Sequence, residues 1–531
     1  LGFAVLLVIP YASVLDGDFV WDDVGLIAQN RSLTDPGGLR QLFTHDLWGS
    51  AGRGATQLYH PLPMFTFWLQ VQLTGLAMVP LRLGNVGLHA LSTWLLFLLL
   101  RRLGIDLRGA FGACATFALH PLTTEPVMWL TGRHDTVGSA FSLAALLLLP
   151  PPDAPARAAA LRSLAAALAC ALAFASKEPF VVAPALLAVL ALLEAPSLLG
   201  WKGLVVRVSP SILAVLGVFG IRHALGVSSA SRQMHASLLD HLTHYGSLLA
   251  HYALLGASFR DGPTIATYVP LGVTQATGVL LLAAGCVALA LHAIGRTWPA
   301  PAPWSRALLL GVVWYGLALA PHVLSLPVVG IWGNRYGYFP WMGAVVALAA
   351  LSARVLENPS TPLLRALAVG LSVLLSYEAW ATHRAALKWR DDLALYGDSV
   401  ARNPRDGRAL YHLAFAVQRR EGCGRALALF ARAAALDPRY PRAQRNHAAC
   451  LLQLGRPAEA IAPAARAVAL EPSVAAHRYN LGAALVLSGD VPRGRAELET
   501  ALHLDPAHRG ARSLLDDLAR GRVPPVSPRV P

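Results

Sequence analysis

The feature that most constrains this chain is the recurrence of long apolar runs from Leu1 to about Trp380, separated by short polar stretches where Arg and Lys gather. Such a run crosses a bilayer only as a helix, because backbone N–H and C=O groups in hydrocarbon must be paired within the segment. Only 14% of residues are charged, against roughly 25% in an ordinary soluble domain. The runs read as about eleven spans: Leu1 to Leu15, then about Asn85 to Leu103, Gly109 to Leu119, Val137 to Leu149, Ala158 to Ala175, Phe180 to Leu193, Val208 to Gly220, Thr277 to Ile294, Ala307 to Leu324, Phe339 to Ala353 and Ala366 to Trp380. Arg101-Arg102, Arg108, Arg157, Arg162, Lys202, Arg207, Arg296, Arg306, Arg354 and Arg365 fall at alternate span ends, which marks those ends as cytoplasmic. The polar piece from Asp16 to about Arg82, the loops at His120 and Ser176, and the tail after Trp380 are then outside. His235 to Gly256 is apolar but carries Asp240, His241, His244 and His251, and reads as an interfacial helix. As a span it would put every later basic cluster on the wrong side.

A formal charge of +14 would suit nucleic acid, yet before Trp380 the basic residues sit at span ends, so topology explains much of it. The five cysteines form no CxxC pair and no zinc spacing, so neither a disulfide framework nor a structural metal is expected.

Beyond Trp380 the chain becomes Ala- and Arg-rich and repeats itself. Leu436-Asp437-Pro438, Leu470-Glu471-Pro472 and Leu504-Asp505-Pro506 recur every 34 residues, the tetratricopeptide period, and Asn403-Pro404 keeps the phase. Small or apolar residues stand where two packed helices need them: Ala426, Phe430 and Ala433, then Ala460, Ala464 and Ala467, then Gly494, Leu498 and Ala501. The third repeat keeps Leu481-Gly482 where the second has His447-Ala448. Such hairpins bury their faces only on one another and present a concave surface suited to a peptide. The predicted fold class is all-α: a polytopic membrane helical bundle over 1–382, a linker and half-repeat helix over 383–402, a repeat α-solenoid over 403–520, and a disordered tail over 521–531.

Carboxylates are scarce, yet four aspartates gather in Leu15-Asp16-Gly17-Asp18-Phe19-Val20-Trp21-Asp22-Asp23, directly after the first span. Either they make turns and helix caps, or Asp22 and Asp23 hold a base at the membrane surface while Asp16 and Asp18 shape the loop. Two further polar groups fall on the same side: the loop His120 to Asp135, and the cations Lys177 and Arg335. Glycosyl transfer from a lipid phosphate to a hydroxyl needs a base for the acceptor proton and cations for the departing phosphate, and those residue types are present. Plainer readings stand beside each: a loop ion network for Glu125, Arg133 and Asp135, a helix-end pair for Lys177-Glu178, and interfacial snorkelling with tyrosines for Arg335. His60 and His120 each precede proline and read by default as turn residues. His241 and His244, three apart, could share a helix face and bind a metal with His251, but amphipathic surface histidines are commoner. No P-loop, GxSxG or HExxH occurs.

Phe19-Val20-Trp21-Asp22-Asp23, Tyr59-His60-Pro61-Leu62, Leu83-Gly84-Asn85-Val86-Gly87-Leu88-His89-Ala90 and Phe117-Ala118-Leu119-His120-Pro121 resemble motifs of one family. So do Glu125-Pro126-Val127, Trp129 to Asp135, Ser176-Lys177-Glu178 and Asn334-Arg335-Tyr336-Gly337-Tyr338-Phe339-Pro340. The family is that of the transmembrane and tetratricopeptide-repeat O-mannosyltransferases and their bacterial relatives, within the GT-C superfamily, and the resemblance covers nearly the whole chain. It differs at His60, where the family has Arg, and at Asn334, where relatives often have Glu.

The resemblance implies a GT-C bundle and a polyprenyl-phosphate sugar donor used on the outer face. It further implies inversion at the anomeric carbon and transfer of mannose or a similar hexose to a protein Ser/Thr hydroxyl. By the same resemblance Asp22 or Asp23 is the base, and Lys177, Arg335 and, more loosely, Arg133 contact the donor phosphate. His60, His120, Glu125, Asp135 and Glu178 line the site, and no divalent metal is expected. The repeats would hold the acceptor polypeptide, with no nucleic acid involved. Ala/Arg-rich composition suggests a bacterial inner membrane with a periplasmic site. The rival readings are an inactive membrane-anchored scaffold or chaperone, and a transferase acting on a lipid or glycan.

Overall fold

The computed structural model describes residues 2–52, 58–194, 201–227, 237–262, 266–295, 302–324, 331–357 and 360–522. Arg296, the start of the predicted interfacial segment at His235, and the tail beyond Arg522 lie outside the described residues. The chain divides into two compact units, Leu1–Gly262 with Tyr268–Asp391, and Pro263–Thr267 with Asp392–Pro531. Apart from the two-residue strands Ala266–Thr267 and Ile331–Trp332, the regular structure of the described residues is helical.

Among the described residues of the first unit, seven helices are long and apolar enough to cross a membrane: Met78–Arg102, Ala156–Phe174, Gly203–Ala224, Val273–Gly295, Pro303–Leu324, Arg335–Val355 and Thr361–Leu387. The shorter helices Gly2–Tyr11, Leu107–Leu119, Arg133–Leu148 and Ala183–Glu194 stand where the sequence places its four remaining spans. The helix Leu238–Ala257 is not among the seven and opens with a Ser237/Asp240 capping box. Polar side chains start and stop these helices. Asp106 accepts from the N–H groups of Arg108 and Gly109 at the head of Leu107–Leu119, and Ser360 caps Thr361–Leu387. Arg102 pairs with Glu194 at 2.7 Å and donates to the carbonyls of Leu146, Leu147 and Leu149, satisfying acceptors that a helix C-terminus leaves open.

The polar piece after the first helix is no open loop. It folds into the short helices Val24–Ala28, Arg31–Thr34 and Leu39–Thr44 and the longer Pro61–Thr74. These close over Leu26, Ile27, Leu33, Leu42, Met64, Phe67, Val71, Leu81 and Leu130. The next helix already starts at Met78, so Arg82 lies within it and is fully buried. Its guanidinium donates to the carbonyls of Val14, Asp18 and Trp389, tying the aspartate-rich stretch to the chain that follows Thr361–Leu387. A side chain at Gly17 would run into this guanidinium and the Arg390 carbonyl, each 2.5 Å from the position of a Cβ. Only glycine fits.

The second unit is a stack of helix pairs. First helices Gly407–Glu421, Pro441–Gln453, Ala475–Leu487 and Arg509–Ala519 begin every 34 residues, and second helices Cys423–Leu436, Pro457–Leu470 and Val491–Leu504 keep the same interval. The predicted small residues Ala426, Phe430, Ala433, Ala460, Ala464, Ala467, Leu498 and Ala501 are all fully buried. At Gly482 and Gly494 the two helices of the third repeat touch backbone to side chain, 2.9 Å and below for an added Cβ. Asp392–Arg402 adds the half-unit. One expectation is overturned here. Cys423 and Cys450 form a disulfide, buried between the second helix of one repeat and the first helix of the next. A separation of 27 residues carries no motif; antiparallel packing of consecutive helices brings the two thiols together.

Candidate active site

The predicted site residues lie in the first unit, where loop segments meet at the ends of the helices. Asp23 is buried, and its carboxylate accepts from the backbone N–H groups of Thr131 at 3.0 Å and Leu130 at 3.3 Å. Asn85 takes the other side of that turn, donating Nδ2–H to the carbonyls of Trp129 and Leu130 at 3.1 and 3.2 Å. The two side chains together satisfy backbone groups that no helix or sheet supplies for. Burial pushes the Asp23 carboxyl up to about 7, against the two backbone hydrogen bonds and the nearby Arg82, which hold it down. Asp22, next to it, is half-buried. Just before the pair, Trp21 has φ +53. That left-handed conformation is costly for a bulky residue, and it is maintained where Trp21 stacks on Trp129 with ring centroids 5.0 Å apart.

Both tryptophans face Arg335. Its guanidinium lies 5.5 Å from the Trp21 ring, 5.0 Å from Trp129 and 4.5 Å from Tyr336, and it bonds Glu125 at 2.5 Å and the Tyr336 hydroxyl at 3.0 Å. Glu125 is fully buried and also accepts from the Asn334 N–H at 2.8 Å. Gly333 is required by this approach, since a Cβ there would lie 2.5 Å from Arg335 Nη1. Tyr336 links this pair to the next: Lys177 Nζ sits 5.5 Å from its ring and contacts both Asp135 oxygens at 2.8 Å. Two Lys177 N–H groups suffice for Asp135, and an ammonium carries three.

Beyond Lys177, Glu178 accepts from His60 Nε2–H at 2.7 Å and pairs with Arg222 at 3.2 Å. Burial alone would raise the Glu178 carboxyl; His60 and Arg222 outweigh it and bring it down to about 2. The His60 ring lies 4.9 Å from His134. Asp23, Glu125, Asp135, Lys177, Glu178, His60 and Arg335 thus belong to one continuous set of contacts, and Asp22 adjoins Asp23 in the chain. Arg133 and His120 are placed in its walls. Arg133 donates to Asn85, Gln70 and the Leu81 carbonyl and covers the Phe67 ring at 3.7 Å. His120 donates Nε2–H to the Gly256 carbonyl at 3.0 Å and accepts from the Leu122 N–H, and burial lowers its pKa to about 4. It is a turn residue here. Sequence reasoning missed Arg82, Asn85, His134, Tyr336 and Arg222. Asn85, His134 and Tyr336 stand inside the family-like motifs; nothing marks Arg82 and Arg222 as site neighbours. The helical histidines do not converge: His241 bonds the Ser237 carbonyl, His244 the Tyr268 hydroxyl, and His251 stacks on Trp332. Among the described residues no group of three or more His, Cys, Asp or Glu is placed to hold a metal ion.

Several buried polar atoms around this set have no hydrogen-bond partner among the described residues, notably His60 Nδ1, His134 Nε2, Thr131 Oγ1 and Asn334 Nδ2. Buried polar groups are ordinarily satisfied, and ordered water or a polar ligand would satisfy these. An apolar cavity of about 2140 Å³ is lined among others by Phe259 and Trp341, whose rings meet His120 at 5.6 and 4.6 Å. It runs between Leu107–Leu119, Leu238–Ala257, Val273–Gly295, Arg335–Val355 and Thr361–Leu387, from Gly256, Phe259 and Trp341 to Asp106, Arg108 and Arg365.

The chain is similar to protein O-mannosyl-transferases. One from Caenorhabditis elegans is 36% identical over 148 residues, 27% of this chain and 21% of that protein. A second, from Drosophila melanogaster, is 34% identical over 28% of this chain and 17% of its own length. A human relative is 35% identical over 24% of this chain and 14% of its own. The chain therefore spans about a fifth or less of the curated relatives it matches. No family model matches. Among solved structures, ArnT from Cupriavidus metallidurans bound to undecaprenyl phosphate is 18% identical, covers 89% of this chain and 79% of that one, and overlays with a TM-score of 0.42. The tetratricopeptide protein YrrB is 19% identical, covers 43% of this chain and 97% of that one, with a TM-score of 0.22. Overlays this loose carry no argument.

Proposed function

We propose that the chain is an integral-membrane GT-C glycosyltransferase. It moves mannose or a similar hexose from a polyprenyl-phosphate donor to a protein Ser/Thr hydroxyl on the extracytoplasmic side, with inversion. The observation that carries this reading is the set of buried cation–carboxylate pairs, Arg335–Glu125 and Lys177–Asp135, and the apolar cavity of the same unit supports it. A lipid-linked sugar needs both, an apolar channel for its chain and a polar site for its head. The names of the relatives agree with it.

In the proposed reaction the acceptor oxygen attacks the anomeric carbon as the bond to the phosphate oxygen breaks, and a carboxylate takes the hydroxyl proton. Asp22 is the base in this scheme. Asp23 is committed to the Leu130 and Thr131 amides and positions the loop instead. The leaving phosphate meets Arg335 and Lys177, whose charges are already paired with Glu125 and Asp135. A paired cation still offers its remaining N–H groups, and the ion pairs keep the site assembled before substrate arrives. Basic span ends support an extracytoplasmic site. The Cys423–Cys450 disulfide supports the same side for the repeats, because such bonds persist in oxidising compartments. The repeats would hold the acceptor polypeptide.

Asp22→Asn and Asp23→Asn, assayed for sugar transfer to a Ser/Thr-rich peptide and for peptide binding, test the scheme. Asp22→Asn is expected to lower kcat by about a hundredfold or more with peptide binding intact. Unchanged transfer in Asp22→Asn would remove it as the base, and a wild-type chain that binds peptide but transfers nothing would favour a scaffold.

A further inference from the structure

At the helix ends away from the candidate active site, four arginines come together. Arg102 ends Met78–Arg102, Arg162 and Arg207 stand near the starts of Ala156–Phe174 and Trp201–Ala224, and Arg306 stands near the start of Pro303–Leu319. Twenty residues of one helix separate Arg102 from Arg82, about 30 Å of helix rise, which matches the hydrocarbon thickness of a bilayer. The basic span ends mark this side as cytoplasmic. Arg102, Arg162 and Arg306 line one pocket of about 390 Å³ together with a single carboxylate, Glu194. The rest of its lining carries no charge, and Asp153, nearby in the chain, is exposed and outside it.

Helix ends account for two of the four. Arg102 holds both Glu194 oxygens at 2.7 Å and gives its remaining N–H groups to the carbonyls of Leu146, Leu147 and Leu149. All five of its donors are engaged, so Glu194 neutralises this arginine and no other. Arg207 donates to the carbonyls of Pro150, Pro151 and Pro152. Arg162 donates through Nε and Nη2 to the carbonyls of Leu147, Leu148 and Leu149, which leaves Nη1 without an acceptor among the described residues. Arg306 stands in no ion pair among them, and its Nε is buried without a hydrogen-bond partner. An arginine that snorkels keeps its guanidinium in water; the Nε of Arg306 is shut off from it.

Two guanidinium groups that line one pocket with no carboxylate of their own carry an electrostatic cost that a bound anion would relieve. Guanidinium forks match the oxygens of a phosphate, and basic pockets between membrane helices on the cytoplasmic side suit lipid head groups. We propose that Arg162 and Arg306 hold a phosphate group at this pocket, with the Arg102–Glu194 pair as its fixed wall. The ligand is a phosphate, carried by a phospholipid head group or free in solution. The site lies apart from the transferase scheme and does not depend on it.

The test uses the full chain in non-ionic detergent, stripped of co-purified lipid, and follows its thermal midpoint as three probes are added: inorganic phosphate, a short-chain phosphatidic acid, and the diacylglycerol of the same chain length. Phosphatidic acid should raise the midpoint and diacylglycerol should not. A matching rise with inorganic phosphate assigns the site to soluble phosphate as well, and its absence assigns it to a lipid head group. Arg162→Gln and Arg306→Gln should each weaken the apparent Kd by about tenfold to a hundredfold, and Arg306→Lys, which keeps the charge but not the fork, by less. Without any phosphate, Arg306→Gln should melt no lower than wild type, because it removes a charge that has no partner; its lost response then reads as lost binding and not as lost fold. No response to either phosphate probe, an equal response to diacylglycerol, or the same response in wild type and both Gln variants overturns the proposal.

Discussion

The ion pairs at the candidate site of the first unit and those on the surface of the repeats differ in kind. In the first, Arg335–Glu125 and Lys177–Asp135 are almost wholly shielded from solvent, with at most 15% of any of the four side chains exposed. In the repeats, Arg493–Asp490 and Arg522–Asp517 are single-turn or local pairs with the arginine 76% and 59% exposed. Stability of fold explains the second kind poorly, since exposed pairs contribute little, and the first hardly better, since burying charge costs about as much as pairing it returns. Buried pairs persist where geometry matters. Their joint contact with Tyr336 fits a site held ready for charge.

Breaking this contrast should give effects that fall in order. Glu125→Gln removes the charge facing Arg335 while the cation stays caged by Trp21, Trp129 and Tyr336. A loss of about 3–5 kcal/mol is expected from such an uncompensated buried charge, read as a drop in the thermal midpoint of the detergent-solubilised chain. Cys450→Ser opens the Cys423 crosslink across 27 residues and is expected to cost about 2–4 kcal/mol. A wild-type chain that shows no change on reduction would discount the disulfide. Arg493→Ala should change stability by less than about 1 kcal/mol, and a larger loss would show that the surface pairs had been undervalued.

A pH series sharpens the roles of the two aspartates. Because burial raises the Asp23 carboxyl to about 7, above its ordinary 3.8, the folded state holds that proton more firmly than the unfolded chain does. Asp23 therefore favours folding fully below about pH 4, and its contribution is lost as pH rises through about 7. Wild type should lose stability across this window relative to Asp23→Asn. If Asp23 were the base, transfer would switch on near pH 7; with Asp22 as base, no inflection belonging to Asp23 is expected in kcat.

Much of this was legible in the residues. The 34-residue repeat was, because each hairpin must present small side chains at fixed positions to its neighbours, and helix starts at 407, 441, 475 and 509 follow that phase. The helical membrane unit was, because a long uninterrupted apolar run pairs its own backbone groups only as a helix. Asp23, Glu125, Asp135, Lys177 and Arg335 stood out as candidates, because charge is conspicuous in an apolar chain and the motifs around them resemble a known family, and the structure brings these five into one set of contacts; their roles belong to the proposal. Arg82 and Asn85 did not. One looked like the end of a polar loop and the other like the start of a span, and only the early helix start at Met78 buries them where they hold backbone carbonyls.

The sequence by itself thus determined which segments are helical, which repeat, and which charged residues stand apart from the apolar background, since these follow from local period and from the cost of unpaired groups in lipid. Only the tertiary structure decided who partners whom. It assigned Asp23 to the Leu130–Thr131 turn, Arg335 to an aromatic cage, Cys423 to Cys450, and His60 to a place beside His134. Those contacts join residues tens to hundreds of positions apart, and no local pattern encodes a distance that arises only when helices pack.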